Sequence, residues 1–310
     1  MNETTITKKE VRKDARGIGL ALLIYEGVFL GILNLLAKFG HYLFPNMTQS
    51  QYFEKLCDSG MPYLIIIAIG IAFFTIFFHK RGTYKELFKS ERKMTFRGAG
   101  KIVALYVFAL LAGFLATTLF ENVLNLHGLT GHIQDPVIHG GTKTLSMTMY
   151  TCLLAPVAEE LIFRGFLLCP LQKYGKATAV VITSVLFGLM HCNADQLVSA
   201  TISGLLLGYI ATEYSMVWSI VLHIFHNNMV DVMAMVIQGS MLVQFLVSLA
   251  IIALFVVSIV VVIRKRKAIV AWFKNNRCEE TQAKWLVTSA ALLAPVAVYL
   301  HQIINSVSRI

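Results

Sequence analysis

Apolar residues in this chain gather into long continuous runs, at about 17–38, 61–79, 100–121, 145–168, 177–192, 196–212, 216–238 and 241–263, with a ninth candidate at about 285–304. About 20 apolar residues in a helix span the roughly 30 Å of a bilayer's hydrocarbon. The pattern predicts an all-α fold, a polytopic transmembrane helical bundle of about eight spans. The count becomes nine if the last run, which carries Pro295 and His301, also crosses. The fifth and sixth runs are joined only by Asn193, Ala194 and Asp195, so they are expected to form a tight antiparallel pair buried among the others. Loops are short, with no internal repeat or low-complexity tract, and residues 1–310 read as a single membrane domain. No convincing cleavage site follows the polar start, so the first run reads as a retained helix.

Charge sets the expected orientation. Lys8, Lys9, Arg12, Lys13 and Arg16 precede the first run, Lys80 to Arg97 follow the second, and Arg264 to Lys267 follow the eighth. If residues 1–16 form a basic cytoplasmic N-terminus, every sizeable basic loop falls on the cytoplasmic side. A ninth span would put the C-terminus outside. Segment 264–284 is basic and carries Trp272 and Phe273, with Trp285 just beyond; it reads either as an interfacial stretch along the inner surface or as a stop-transfer flank. The chain is 56% hydrophobic and 14% charged, against about 25% charged in ordinary soluble domains. The +10 net charge sits in loop clusters without a nucleic-acid motif, so no nucleic-acid partner is expected. The five cysteines are too scattered for a disulfide framework or a metal knuckle.

Ionisable residues inside spans cost roughly 2.5–3.5 kcal/mol each on insertion scales, which makes them functional candidates. Run four holds Glu159, Glu160 and Arg164 within six residues. Glu160 and Arg164 share a helix face and can pair, whereas Glu159 points elsewhere. Run five ends at Phe187 and His191, and run seven carries His223, Asn227 and Asp231 at four-residue intervals, with His226 beside them. Counted at about 1.5 Å per residue, these groups are expected to converge in the cytoplasmic half of the membrane. A carboxylate with an imidazole can activate water, and a second His with an Asn can donate to an oxyanion. Glu159, His191 and His223 are also a permissible zinc set with water in the fourth place, so a metal-free site and a zinc site both remain open. Glu26 and Glu121 read as packing or interface residues. Cys192 does not face His191, so a Cys–His nucleophile is not expected.

Glu159-Glu160-x-x-x-Arg164, Phe187-x-x-x-His191 and His223-x-x-x-Asn227 resemble, in order, the three motifs of the CAAX prenyl protease and bacteriocin-processing (CPBP) family of intramembrane endopeptidases. The resemblance covers about residues 145–238, the expected catalytic core. It implies Glu159 as general base acting with His191 on water, His223 and Asn227 as oxyanion hole, Glu160, Arg164 and Phe187 as structural support, and no cofactor. It departs from the family at His226, where an apolar residue or Asn is more usual. The implied substrates are CAAX-type lipidated tails or peptide precursors such as bacteriocin or pheromone leaders, and the implied location is a bacterial plasma membrane, in contact with lipid. A different class of function, a non-enzymatic scaffold or immunity protein that binds a membrane partner such as a sensor kinase, would keep the fold without needing Glu159. A proton-relay transporter would show matching halves or broken helices, and the sequence suggests neither.

Overall fold

The computed structural model of the protein describes residues 6–43, 46–79, 92–131 and 144–309. The basic residues from Lys80 to Lys89, and Lys143, lie outside the described residues. The chain is all-α apart from one short bridge. α1 (Lys8–Leu43) runs to a short α2 (Gln49–Asp58), then α3 (Met61–Phe78) and α4 (Phe96–Leu126). A continuous helical rod, α5, is assembled from Leu145–Met149, a wide-turned Tyr150–Leu154, Ala155–Glu160, a second wide-turned stretch Leu161–Leu168, and Cys169–Leu171. α6 (Lys176–Met190), α7 (Ala194–Glu213), α8 (Met216–Ile237), α9 (Met241–Asn275), α10 (Glu280–Val287) and α11 (Ala290–Ser306) follow. Two-residue strands β1 (Leu129–Thr130) and β2 (Ser308–Arg309) pair antiparallel, so α11 ends at the same end of the bundle as α4.

The protein is an integral membrane protein. Five helices, α1, α3, α4, α7 and α9, are long and apolar enough to cross a membrane, and α10 with α11, bent by 55°, would make a sixth. The eight spans expected from apolar runs are not all reproduced as single long helices: α5 is interrupted by its wide turns and α6 has only 15 residues. On α9, Leu242, Phe245, Leu246, Leu249, Ile252 and Val256 are exposed and only Ser258 is buried. An apolar outer face of this extent is the surface that lipid covers.

α9 continues unbroken through Arg264–Lys267. Trp272 and Trp285 pack inward: both are partly buried against the main core cluster, and Trp272 lies edge-on to Tyr209 of α7 at 5.1 Å.

The buried pair α6–α7 forms as the short connection predicted. Cys192 takes a left-handed φ of 55°, which ends α6, and the Asn193 side chain caps α7 by accepting from Gln196 N at 2.8 Å. A Cβ placed on Gly188 would lie 2.0 Å from Thr201 Oγ1 and 2.6 Å from the Leu197 carbonyl, so the two backbones touch only because this residue has no side chain. Gly188→Val is therefore expected to cost at the upper end of about 1–3 kcal/mol of overpacking, seen as lost monodisperse yield and a lowered melting temperature in detergent.

At the other side of the bundle α11 lies along α1. Pro295 donates no hydrogen bond to the Ala291 carbonyl, and Gly19 packs so close that a Cβ there would fall 1.7 Å from that oxygen. Glu26, read from sequence as a packing residue, accepts from Gln302 Nε2 at 2.8 Å across the same pair. Glu121 anchors the β1 turn, accepting from Thr130 Oγ1 at 2.5 Å and Gly131 N at 3.1 Å. At the end where α1 starts, the Tyr174 hydroxyl donates to Asp14 at 2.8 Å. Burial, and then the Asp14 carboxylate, push the Tyr174 hydroxyl above its ordinary range, so it remains a donor at neutral pH.

Candidate active site

Pro156 shapes the site from within α5. It has no N–H to give the Cys152 carbonyl four residues back. One residue earlier, the Ala155 N–H reaches past Thr151 to the Tyr150 carbonyl, widening the turn. Two carbonyls, of Thr151 and Cys152, thereby lose their helical donors. α8 supplies replacements: Asn227 Nδ2 donates to Thr151 O at 2.7 Å and Asn228 Nδ2 to Cys152 O at 3.1 Å. One turn further along α8, Asp231 accepts from the Cys152 thiol at 3.1 Å. The polar stripe of α8 is thus a seam against the unwound part of α5. It also brings His223 level with Glu159 and Glu160.

Glu160 is fully buried, and its carboxylate is shared among three partners. Oε1 lies 2.9 Å from His223 Nδ1, and Oε2 lies 2.5 Å from the Ser219 hydroxyl and 3.3 Å from Arg164 Nε. Arg164 is itself 1% exposed. Its Nη2 donates to the Gly204 carbonyl at 3.2 Å, and its guanidinium lies 4.6 Å from the Phe187 ring centroid. Nε and Nη1 lack an aligned hydrogen-bond acceptor. The Nε–Glu160 contact is therefore an ion pair held by charge at short range, which does not need hydrogen-bond alignment. Phe187 presents its face to Arg164 and stands edge-on to both imidazoles, with centroids 4.9 Å from His191 and 5.7 Å from His223. Glu160, Arg164 and Phe187 thus form one buried cluster beneath the two imidazoles.

The remaining groups face a cavity of about 370 Å³ lined by Glu159, His191, His223 and Asn227, with the tyrosine pair Tyr63 and Tyr150 stacked at 4.9 Å along one wall. Glu159 is 21% exposed and its Oε2 lies 3.7 Å from His223 Nε2, too long for a direct hydrogen bond and a spacing that one water can bridge. His191 Nδ1 bonds to the Phe187 carbonyl at 2.8 Å, so that nitrogen carries the proton and Nε2 is left with its lone pair. His223 is oriented likewise by Glu160, leaving Nε2 toward Glu159. No direct hydrogen bond joins Glu159 to His191 among the described residues. Asn227 has one of its two N–H donors occupied by Thr151. Counted along α5, Glu159 lies about 21 Å from Leu145 and about 18 Å from Leu171. Glu159 thus lies near the middle of the rod, and the cavity above it leads away from the basic N-terminal end.

Among the described residues no three His, Cys, Asp or Glu side chains are grouped as metal ligands. The Nδ1 atoms of both candidate histidines are engaged, which leaves the Nε2 atom of each open to another partner.

Sequence spacing missed Ser219, Asn228 and Tyr106. Ser219 was within reach, because it sits four residues before His223 and extends the same stripe. Asn228 was legible only through Pro156 and the carbonyl it orphans. Tyr106, on α4, gives His226 its partner: its hydroxyl lies 2.6 Å from His226 Nδ1. Tyr106→Phe would leave that nitrogen buried without its bond, at a cost of about 1–3 kcal/mol. The expected reading is a lower melting temperature with the cleavage rate per folded molecule little changed.

The apolar bundle thus encloses a carboxylate–imidazole cavity above a buried ion pair. The comparison with protein families is more specific: residues 141–229 match the model described as Rce1-like, type II CAAX prenyl endopeptidase. That segment carries all three motifs, and the match, to a protease family, supports their likeness to those of the CPBP family. No curated protein and no solved structure gives a significant match to the chain.

Proposed function

We propose that the protein is an intramembrane endopeptidase of glutamate type, with Glu159 as the general base. The observation that carries this reading is the division of labour between adjacent carboxylates. Glu160 is consumed by Arg164, Ser219 and His223, whereas Glu159 faces the cavity and meets only the far nitrogen of His223. A water held between Glu159 and the Nε2 lone pair of His191 attacks the peptide carbonyl carbon while its proton passes to Glu159. The carbonyl oxygen takes the developing charge beside His223, which donates from Nε2 only as the imidazolium, and the free N–H of Asn227. The C–N bond then breaks, and the proton held by Glu159 goes to the leaving amine. No cofactor enters this scheme. Orientation with the basic end in the cytoplasm of a bacterial cell, and nine crossings that bring α11 back to the end where α4 finishes, complete the reading.

The test is cleavage of a panel of lipidated tails and peptide precursors by purified protein in detergent, with and without chelator. Cutting that survives chelator and needs Glu159 is expected. Cutting abolished by chelator and restored by zinc would replace this scheme with a metal one. If folded protein cuts nothing in the panel and its Glu159 variant still supports the cellular phenotype, the scaffold function takes its place.

A further inference from the structure

Among the described residues, the cavity extends toward one end of the bundle. Its outer lining comes from one half of the bundle: Cys57 and Asp58 close α2, Met147 lies at the start of α5, His191 follows the end of α6, Gln196 is near the start of α7, and Asp231 is in the last third of α8, while Glu159, Ser203 and His223 line its deeper part. That end is tied together by Thr144, whose hydroxyl donates to the Ser59 carbonyl at 3.0 Å, and by the Ser146 hydroxyl bonding to the same carbonyl. Below the cavity the floor is Glu160, Arg164 and Ser219, each at most 1% exposed. Beneath the floor lies a solid apolar layer, in which Phe166 stacks against Phe74 at 5.8 Å and Phe78 at 5.6 Å, with Phe163 and Leu167 fully buried beside them. Among the described residues, this layer closes that half beneath the cavity.

Basic residues gather at the closed end: the start of α1, Arg92 to Lys101, Lys173 and Lys176 around the α5–α6 turn, and Arg264 to Lys267 on α9. The open end holds only Lys38, Lys55 and Arg309 among the described residues, and no Lys or Arg lines the cavity. Clustered Lys and Arg mark the cytoplasmic side of a membrane protein. The mouth therefore opens on the opposite side.

Resting on the peptidase reading, we infer that the substrate is a polypeptide presenting its scissile segment from the extracytoplasmic face: an exported peptide, or the outer segment of a membrane protein. A lipidated tail approaching from the cytoplasm would meet the closed, basic end. The cavity walls suit a polypeptide strand, since stacked tyrosines, the Thr151 hydroxyl and the Gln196 side chain line one continuous channel toward Glu159.

The experiment uses the full-length protein with single cysteines at Lys55→Cys on α2, Ser199→Cys in the cavity and Lys265→Cys on α9. Each is exposed to a membrane-impermeant maleimide in sealed right-side-out vesicles, with modified peptides located by mass spectrometry so that the native cysteines can stay. Lys55→Cys and Ser199→Cys are expected to react in intact vesicles, and Lys265→Cys only after permeabilisation. The reverse pattern, or failure of Ser199→Cys to react in intact vesicles, overturns the inference. Labelling needs no catalysis, so this result stands apart from the peptidase reading, which is judged by cleavage in detergent. Once a peptide cut in detergent is known, adding it outside intact cells should give cleavage that depends on Glu159. Cleavage only after lysis would overturn the choice of side and leave the peptidase intact.

Discussion

Glu159→Gln is expected to lower peptide cleavage by about 10²–10⁴-fold, the range a positioned acid–base group contributes, with little change in melting temperature. Glutamine keeps the shape of the side chain and removes only its ability to take a proton. Glu159 is 21% exposed to the cavity and forms no short hydrogen bond that folding depends on, the nearest charged partner being His223 Nε2 at 3.7 Å. The adjacent substitution makes the contrast. Glu160→Gln should also reduce cleavage, because His223 loses the carboxylate that orients it, but it should do so together with a clear loss of stability, since Arg164 is left buried beside a neutral amide. The measurement is kcat and melting temperature on the same detergent preparations. If Glu159→Gln cuts within a few-fold of the parent, the base is elsewhere, and His191 is the group the geometry leaves.

The sequence made the chemistry easier to read than the architecture. Glu159, Glu160, Arg164, His191, His223 and Asn227 stood out because charged and polar side chains are costly in apolar runs, and the structure brings them around one cavity or directly beneath it. Their division of work was less legible. Spacing paired Glu160 with Arg164 on one face, but it could not show His223 lying between both carboxylates, because that contact is between α5 and α8 and has no local signal. Asn227 gave a similar half-result: its polar stripe was visible, whereas the carbonyl that occupies one of its N–H donors is freed around Pro156, far earlier in the chain. Among the elements, run four was seen as a plain span, and run five as half of a short buried pair. The wide turn at Tyr150–Leu154 comes from Pro156, which hydropathy averages over, whereas the short α6, ended by the αL turn at Cys192, follows the bounds of its run closely.

Arg164→Gln is expected to destabilise the protein by about 3–5 kcal/mol, the cost of breaking a buried ion pair by removing one partner. Glu160 would then hold its charge with only Ser219 and His223 for company, above the apolar layer formed by Phe163, Phe166 and Leu167. Removing both charges together has a different expected outcome. In Glu160→Gln with Arg164→Met, no uncompensated ion is left, methionine can fill the space against Phe187, and the amide introduced at position 160 can still accept from His223, so the double variant should be more stable than either single one. The two residues are in contact, and coupling of about 0.5–3 kcal/mol between them is the size expected for such a pair. Denaturant titration of the parent, Glu160→Gln, Arg164→Met and the double variant in one detergent, followed by tryptophan fluorescence, gives that coupling directly. Simple additivity would mean that Arg164 is held mainly by the Gly204 carbonyl and the face of Phe187, and that the ion pair is incidental. Activity separates the roles further. The double variant should fold yet cleave poorly, because an amide orients His223 less firmly than a carboxylate does, whereas a pair that merely staples α5 to its neighbours would return cleavage along with the fold.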